Sequence, residues 1–509
     1  MNDRPEEQLY SLLARIYRER DALQGGPLRA LLAVMEAEFR SLEGDIDQLY
    51  ANLFAETAEE WVLPYIGDLI GLRNLGEPHI PRVSRRAEVA NALTYRRRKG
   101  TSAVLEHVIR DVTGWKAHVV EFFDLLVTTQ HVGHVRPHKG GVISLRDRTV
   151  LQRLGTPFDT APHTANVRNV FSPRPEQATR AVSPGGRHNI HNVGIFVWRL
   201  QSYPVARAEA RLVAPGRYTF NPFGLDAPLF NPPMTEPQVT SPEQEVNLPG
   251  PLSREALRAE AEALREGRTT GRRSQACYLG TQPVFQVFLN ERAEPVAPEA
   301  LDIADLTNWA PPPDSKRYLN PGAGESTSFT IAAAVDPELG RITVPEGPPP
   351  LRVEVGYSYG FSSDLGGGTY QRAEVTPPER AWTAKVSHHP QSGAASSAWF
   401  STLGEALAAW GRSEQDGDIE VSDSAIYDLG GTATIRLVRG RRLVIRAFEG
   451  RRPCLVGNLV VAGDESDTGI TLSGLLLDGS VTLLGNVQPH CSHCTVRPSG
   501  SKARHSVAI

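Results

Sequence analysis

The chain has 509 residues, of which 40% are hydrophobic and 22% are charged, and its formal net charge is −4. This length exceeds what one hydrophobic core supports, and the small net charge excludes a general attraction to nucleic acid or to anionic membranes. Four cysteines in such a chain exclude a disulfide scaffold, and no apolar run approaches the ~20 residues that cross a bilayer. The N-terminal MNDRPEEQ is not a secretory signal, so we expect cytoplasmic synthesis.

The order of helical and strand patterns predicts an α+β multidomain protein. The 39 prolines and 45 glycines favour turns and strands over one large helical bundle. Five regions are expected: a helical and coiled-coil segment at 1–56, a helical domain at 57–115, a β-rich domain with long loops at 116–270, a small sandwich-like β domain at 271–370 and a β-helix-like module at 371–509.

A long helix is predicted from Pro27 to Phe54, after a short helix over Leu9–Ile16. Its apolar residues recur in alternating steps of four and three, which is the heptad spacing of a coiled-coil seam. At ~1.5 Å per residue the helix is about 40 Å long, so the short helix cannot cover the whole seam. We therefore predict a coiled coil with other chains, and a hairpin with the short helix is the alternative. The predicted interface residues are Leu28, Leu32, Met35, Phe39, Leu42, Ile46, Leu49 and Leu53.

Three shorter helices are predicted between residues 57 and 114. Thr57 and Glu60 fit a capping box at the start of the first helix. The second helix fits residues 84–99, and the third follows Thr101 and ends at Gly114.

Charge is distributed unevenly in this part of the chain. Residues 1–60 contain 13 Asp and Glu against 6 Arg, a net charge of −7, whereas residues 82–99 contain six Arg and one Lys against one Glu, a net charge of +6. We predict that the basic run docks against an acidic surface of an assembly, and a solvated helix face is the alternative. Nucleic-acid binding is disfavoured because Tyr95 is the only interleaved aromatic residue. The predicted docking residues are Arg96, Arg97, Arg98 and Lys99.

Two motifs occur in a fixed order within this region. Residues 61–68 read WVLPYIGD, and residues 97–101 read RRKGT between an arginine-containing helix and a short apolar helix. Over roughly residues 50–125 this order resembles the tail protein I family of contractile phage tails, and resembles more closely its relatives in the baseplates of phage-like contractile injection systems. The stretches NVGIFVWR at 192–199 and YGF…DLGGGTY at 359–370 are similar to the strand-rich middle of longer members.

The resemblance implies a structural baseplate wedge subunit without catalytic residues or cofactors. The implied partners are other wedge, hub or spike, and sheath subunits in a symmetric hetero-oligomeric particle, either a phage tail or an injection system. Related wedges are held together by a small helical bundle, which agrees with the coiled-coil prediction.

Short strands punctuated by Gly and Asp follow a predicted helix at Phe400–Ala409. This pattern resembles the opening of a right-handed parallel β-helix with about three rungs. Two rival functions follow, a receptor-, glycan- or fibre-binding tail protein acting through this module and a polysaccharide-degrading enzyme. We assign no catalytic residue, because the nearest acidic group, Asp464, Glu465 and Asp467, is expected to be a solvated loop.

Clustered histidines raise the question of a zinc site. His131, His134 and His138 are close in sequence, but residues three apart on a strand point to opposite faces. We therefore expect ordinary loop or strand histidines here, and the same holds for His188 and His191.

The segment from His490 to Cys494 contains a Cys-x-x-Cys pair, which is half of a common zinc site. The second pair is missing, because Cys277 and Cys454 are single and distant. We expect Cys491 and Cys494 to be alternating residues of the β-helix-like module, and no metal is assigned.

Overall fold

The computed structural model shows a mixed α+β chain, as predicted, which divides into two compact units, Met1–Ala117 and His118–Ile509. Side chains are not described at 269–270, 464–467 and 507–508. The described residues are 8–72, 85–135, 143–166, 186–190, 192–234, 242–270, 276–290, 292–319, 326–372, 381–389, 398–438, 440–498 and 507–508.

The described part of the first unit is helical. The predicted first helix is divided into two pieces by a turn at residues 12–14, and the predicted long helix ends three residues early. The helices are α1 Gln8–Ser11, α2 Arg15–Leu23, α3 Pro27–Ala51, α4 Leu63–Leu69, α5 Arg85–Arg97 and α6 Ser102–Thr113.

Two buried carboxylates attach α1 and α2 to the first half of α3. The Asp21 carboxylate accepts hydrogen bonds from the backbone amides of Leu28 at 2.7 Å and Arg29 at 3.1 Å, so α2 supplies the cap of α3. The Glu36 carboxylate on α3 accepts a hydrogen bond from the amide of Gln8 at 2.8 Å, at the start of α1. Each carboxylate satisfies amides that a helix start leaves without a partner.

The predicted capping box at Thr57 is wrong. The Thr57 hydroxyl donates to the carbonyl of Ala51 at 2.7 Å, and α4 begins only at Leu63. Pro64 lies in the first turn of α4, where its missing N–H costs no hydrogen bond and its fixed φ suits the helix. The helix therefore starts beside the proline rather than at the threonine.

The described part of the second unit contains most of the strands and three α-helices. The helices are α7 Arg148–Arg153, α8 Arg254–Thr270 and α9 Leu403–Gly411. The strands are β1 Lys116–Glu121, which spans the boundary between the units, β2 Val193–Trp198, β3 Gln201–Glu209, β4 Arg211–Ala214, β5 Arg217–Thr219, β6 Gln286–Leu289, β7 Leu301–Ile303, β8 Ser315–Leu319, β9 Ser326–Thr330, β10 Ala333–Asp336, β11 Arg341–Thr343, β12 Val353–Phe361, β13 Trp382–Val386, β14 Ala398–Phe400, β15 Gly417–Val421, β16 Ile426–Leu437, β17 Arg442–Ala447, β18 Cys454–Ser473, β19 Leu476–Asp478, β20 Val481–Ser492, β21 Thr495–Arg497 and β22 Val507–Ala508.

Strands from both sides of residue 270 share two sheets. One sheet has the order β4-β5-β11-β10-β7 and the other has the order β3-β12-β6. Both contribute to a single apolar core, in which Ile342 and Val355 are fully buried and Leu257 of α8 is 1% exposed. The predicted division at residue 270 is therefore replaced by one shared core, because each sheet needs strands from both segments.

A ten-stranded sheet runs from β13 to the end of the described chain, and its pairings are parallel except for β22. Leu443 of β17 pairs with Gly417 of β15 on one side and with Ile470 of β18 on the other. The long strand β18 changes partners along its length: it pairs with β16 and then β17 on one side, and with β19 and then β20 on the other. Equivalent segments thus lie above one another, and we call this array the parallel stack.

The parallel stack buries apolar side chains from successive layers against one another. Ile419 and Ile445 are fully buried, and Ile470 is 2% exposed. Leu403 and Trp410 of α9 belong to the same core, so the predicted helix before the strands is present and covers part of it.

Candidate interaction surfaces

The apolar seam of α3 is uncovered over most of its length. Leu28 and Leu32, near α1 and α2, are half-buried. Beyond Leu32, α1 and α2 do not cover the seam side chains. The alternative of a hairpin with the short helix therefore explains the burial of the first half of α3 only. The exposed seam residues, with their exposed fractions, are Met35 (48%), Phe39 (58%), Leu42 (58%), Ile46 (64%) and Leu49 (66%). Leu53 is also exposed, at 70%, but it lies two residues past the end of α3, so its predicted place on the helix is wrong.

Acidic residues border this seam, and a few apolar residues widen it. Leu31, Val34 and Tyr50 lie off the heptad positions and are 52%, 67% and 68% exposed, so the apolar stripe is broader than a strict seam. The α3 helix carries five acidic residues against Arg29 and Arg40, and all the acidic residues except Glu36 are exposed. A partner with basic flanks would complement this surface.

The predicted basic docking run is divided between two roles. Arg96 donates hydrogen bonds to the carbonyls of Ile70 and Gly71, just past the end of α4. Its guanidinium therefore bonds to carbonyls that have no partner within α4. Arg96 thus has a structural role in this unit. Arg97, Arg98 and Lys99 lie at the end of α5 or just beyond it and are exposed.

An open groove lies between α5 and α6 beside the basic run. Its volume is about 420 Å³, and its wall includes the apolar side chains of Val104 and Val108, with Lys99 among the lining residues. The Tyr95 hydroxyl donates to the carboxylate of Asp111, and burial and this carboxylate raise the pKa of the Tyr95 phenol. The groove therefore offers a second apolar surface, with a fixed polar pair in its wall.

The aromatic turn that carries the family resemblance is also uncovered. Trp61 and Tyr65 are 64% and 66% exposed, and their rings meet edge to face with centroids 6.4 Å apart.

No family model, curated protein or solved structure matches this chain. In the described part of the chain, no helix is both long and apolar enough to cross a lipid bilayer.

The first histidine pair lies at a turn rather than on a strand. The amide of His134 donates to the carbonyl of His131 at 2.8 Å, and the two rings are 6.3 Å apart. The strand-based argument against a zinc site therefore does not apply to these two residues. His138 and His191 lie outside the described residues.

A group that the sequence analysis did not single out brings Asp159, His163 and His188 together. The Asp159 carboxylate is buried, accepts amides of Gly155 and Ala161, and lies 2.8 Å from Nε2 of His163. The two imidazole rings stack with centroids 3.8 Å apart and planes 12° apart. A metal ion in the plane of one ring would lie outside the plane of the other, so this arrangement is a hydrogen-bonded stack. The four-residue spacing of Asp159 and His163 was the only local feature of the sequence that could have indicated this group.

The Cys-x-x-Cys pair lies in the last layer of the parallel stack. Cys491 is half-buried on β20, and Cys494 is buried in the core. A hydrogen bond from Cys494 lowers the pKa of the Cys491 thiol to about 7, and the same contact raises the pKa of Cys494. His493 Nδ1 lies 2.7 Å from the hydroxyl of Tyr370, so this histidine is engaged elsewhere.

The acidic residues considered for the enzyme alternative lie on β18. The backbone of Asp464, Glu465 and Asp467 belongs to that strand rather than to a loop, and their side chains lie outside the described set. The expectation of a solvated loop is therefore wrong for the backbone.

Proposed function

We propose that this chain is a structural baseplate subunit of a contractile phage-tail-like injection system, related to tail protein I, and that it joins wedge, hub and sheath subunits through protein–protein contacts. The observation that carries this proposal is the seam of α3, which repeats every seven residues and stays exposed from Met35 to Leu49. In this proposal the chain works as part of an assembled particle.

The physical argument concerns the cost of leaving this seam in water. Fully burying a Leu, Ile or Phe side chain contributes roughly 1.5–3 kcal/mol, and the exposed seam contains several such side chains on one face. A heptad seam fits a facing helix because its knobs enter holes of the same spacing. The stabilisation would come from helices of neighbouring subunits, which agrees with the helical bundle that the resemblance implies.

The remaining predictions belong to the same proposal. The parallel stack is interpreted as the short right-handed β-helix-like module, since its equivalent segments pair in parallel layer after layer and such crossovers are almost always right-handed. The two sheets around one core are interpreted as the sandwich-like middle. Arg97, Arg98 and Lys99 are proposed to dock on acidic surface of a neighbour, and Arg96 holds α4.

The experiment changes both Leu42 and Leu49 to Asp and purifies the chain with the products of the neighbouring baseplate genes. Both leucines are more than half exposed, so the isolated chain should keep its fold and melting temperature. The complex should be lost, because two carboxylates would be buried in an apolar seam.

The matched control changes Ala37 and Ser41 to Asp on the same helix. Both positions are exposed and lie off the seam, so the control adds the same charge to α3. The control should form the complex with wild-type stoichiometry. If the seam variant also assembles normally, α3 is not the joint and the proposal fails.

A further inference from the structure

A cavity in the second unit has the composition of a ligand site. Its volume is about 390 Å³, within the range of small-molecule pockets. We call it the Trp198 cavity, and its argued lining residues are Arg153, Phe158, Trp198, Asn231, Glu245 and Tyr278.

Asn231 is a buried lining residue with a fixed acceptor that lacks a partner. The residue is 3% exposed, and its amide nitrogen donates to the carbonyls of Val246 at 2.7 Å and Leu248 at 3.1 Å. These acceptors fix the orientation of the amide, because the oxygen could not occupy the same place. The Oδ1 atom has no hydrogen-bond partner within the part of the chain that the structure describes. A buried acceptor of this kind costs free energy until a donor reaches it.

Aromatic rings form the apolar part of the cavity. The rings of Phe158 and Trp198 are 6.0 Å apart with planes inclined by 39°, and Phe158 also stacks on His118 at 4.9 Å. Tyr278 adds a third ring to the lining. Rings held in this way offer flat apolar surface at little cost in conformational freedom.

The charges around the cavity are paired. The guanidinium of Arg153 lies 2.7 Å from the carboxylate of Glu245, and the carboxylate of Glu338 lies 3.0 Å from Arg254. The lining contains one guanidinium, that of Arg153, and two carboxylates, those of Glu245 and Glu338, so it carries one excess negative charge, and each of these groups is already in an ion pair. An uncharged ligand with several hydroxyl groups matches this lining better than a phosphate, a carboxylate or a cation.

We propose that the Trp198 cavity binds a neutral saccharide, with one or two sugar rings inside it. The C–H face of the sugar lies against Trp198 and Phe158. Its hydroxyl groups bond to the Arg153–Glu245 pair. This site is distinct from the seam of α3 and from the parallel stack, so it adds a binding activity to the proposed structural role.

The test uses the full chain and a panel of neutral monosaccharides and disaccharides, including glucose, galactose, N-acetylglucosamine and lactose. Saturation-transfer NMR identifies the sugars that bind, and calorimetry gives their affinities. The Trp198→Ala variant should bind the best sugar about tenfold more weakly or not at all. Trp198→Phe keeps an aromatic ring and should give an intermediate loss at an unchanged melting temperature. Trp309→Ala, a half-buried tryptophan outside the cavity lining, should bind like the wild type.

A second variant tests the charge argument. Glu245→Gln leaves Arg153 without its carboxylate, so the relative affinity should shift from neutral sugars toward an acidic sugar such as N-acetylneuraminic acid. The proposal is overturned if no neutral saccharide binds the folded wild type. It is also overturned if Trp198→Phe and Glu245→Gln leave binding unchanged, or if a proline-rich peptide occupies the cavity in preference to every sugar.

Discussion

The seam of α3 and the interior of the parallel stack contain the same kinds of residue in regular arrays, and their surroundings are opposite. Leu42 and Ile46 on α3 are 58% and 64% exposed, whereas Leu443 and Ile445 on β17 are fully buried. In the stack, each layer meets the next layer of the same chain through parallel pairing. The seam repeats along a single helix, and the described chain supplies a facing helix only for its first half.

This difference separates two ways of using apolar residues. The second unit buries its large cores within one chain, so its stability is a property of the isolated protein. The first unit keeps much of its apolar surface for contacts that an assembly would supply. Substitutions should therefore act on folding in the second unit and on association in the first.

The largest effect is expected at Asp336, whose carboxylate is fully buried. It lies 3.0 Å from Arg254 and accepts the amide of Leu306 at 2.9 Å. Asp336→Ala should lower the free energy of unfolding by about 3–5 kcal/mol, because it removes the buried partner of Arg254 and leaves the backbone amides of Leu306, Glu338 and Leu339 without their acceptor. Denaturant unfolding of the second unit measures this. Asp305→Ala is the matched control, since its carboxylate is 60% exposed near the same arginine and its loss should lower the free energy of unfolding far less. Equal losses would contradict the prediction.

A smaller effect is expected where two glycines stack in successive layers. A Cβ atom at Gly479 would lie 1.9 Å from the carbonyl oxygen of Gly457. Gly479→Ala should destabilise the parallel stack by about 1–3 kcal/mol, because the layers would have to separate. Gly404→Ala on α9 meets nothing within 4 Å and should instead be neutral or stabilising. Thermal unfolding compares the two variants, and a stable Gly479→Ala variant would show that the layer spacing can yield.

In the first unit the expected effect depends on pH. The hydrogen bond from Gln8 is the main cause that lowers the pKa of Glu36 below its ordinary value of 4.5. Because the folded pKa is lowered, the charged carboxylate stabilises the fold above the unfolded pKa, and this contribution is lost as the pH falls through the folded pKa. Glu36→Gln should melt at a lower temperature than the wild type near neutral pH, and the difference should be smaller at a pH below 4.5.

Circular dichroism of the helical signal follows this transition, and Glu38→Gln is the control. Glu38 is exposed on the same helix, so its variant should match the wild type at both pH values. A Glu36→Gln deficit that is undiminished in acid would mean that the carboxylate does not act through its charge.

The smallest effect is expected for Leu42→Ala in the isolated chain. The side chain is 58% exposed, so its loss should change the free energy of unfolding by less than about 0.5 kcal/mol. Leu443→Ala removes the same atoms from a fully buried site and should cost about 2–5 kcal/mol. A large loss for Leu42→Ala alone would show that the isolated chain already covers the seam, by self-association or otherwise.

Local periodicity predicted the helices and many of the strands of this molecule. The heptad steps of α3 and the start at Pro27 are properties of neighbouring residues, so they could be read without the fold. The exposure of α3 beyond Leu32 was inferred from helix lengths alone.

Long-range pairing could not be read in the same way. Tyr218 pairs with Ile342, and no pattern near either residue indicates the other. The Trp198 cavity could not be predicted for the same reason, because Arg153, Trp198 and Asn231 come from separate segments that only the tertiary fold brings together. The structural role of Arg96 was missed because a run of four basic residues does not show which one reaches a helix end.

The strand β22 has a local consequence at high concentration, because it covers the edge of β21, whereas among the described strands β20 pairs only with β18 and keeps its outer edge open. Strand β22 lies antiparallel to β21, with Val507 beside Val496. A parallel array can in principle accept another chain at its last layer and grow into a fibre, because the edge strand presents unused amides and carbonyls. A reversed strand occupies this edge at β21, so a further parallel layer cannot add there. The protein thus carries its own stop against end-to-end polymerisation at that strand.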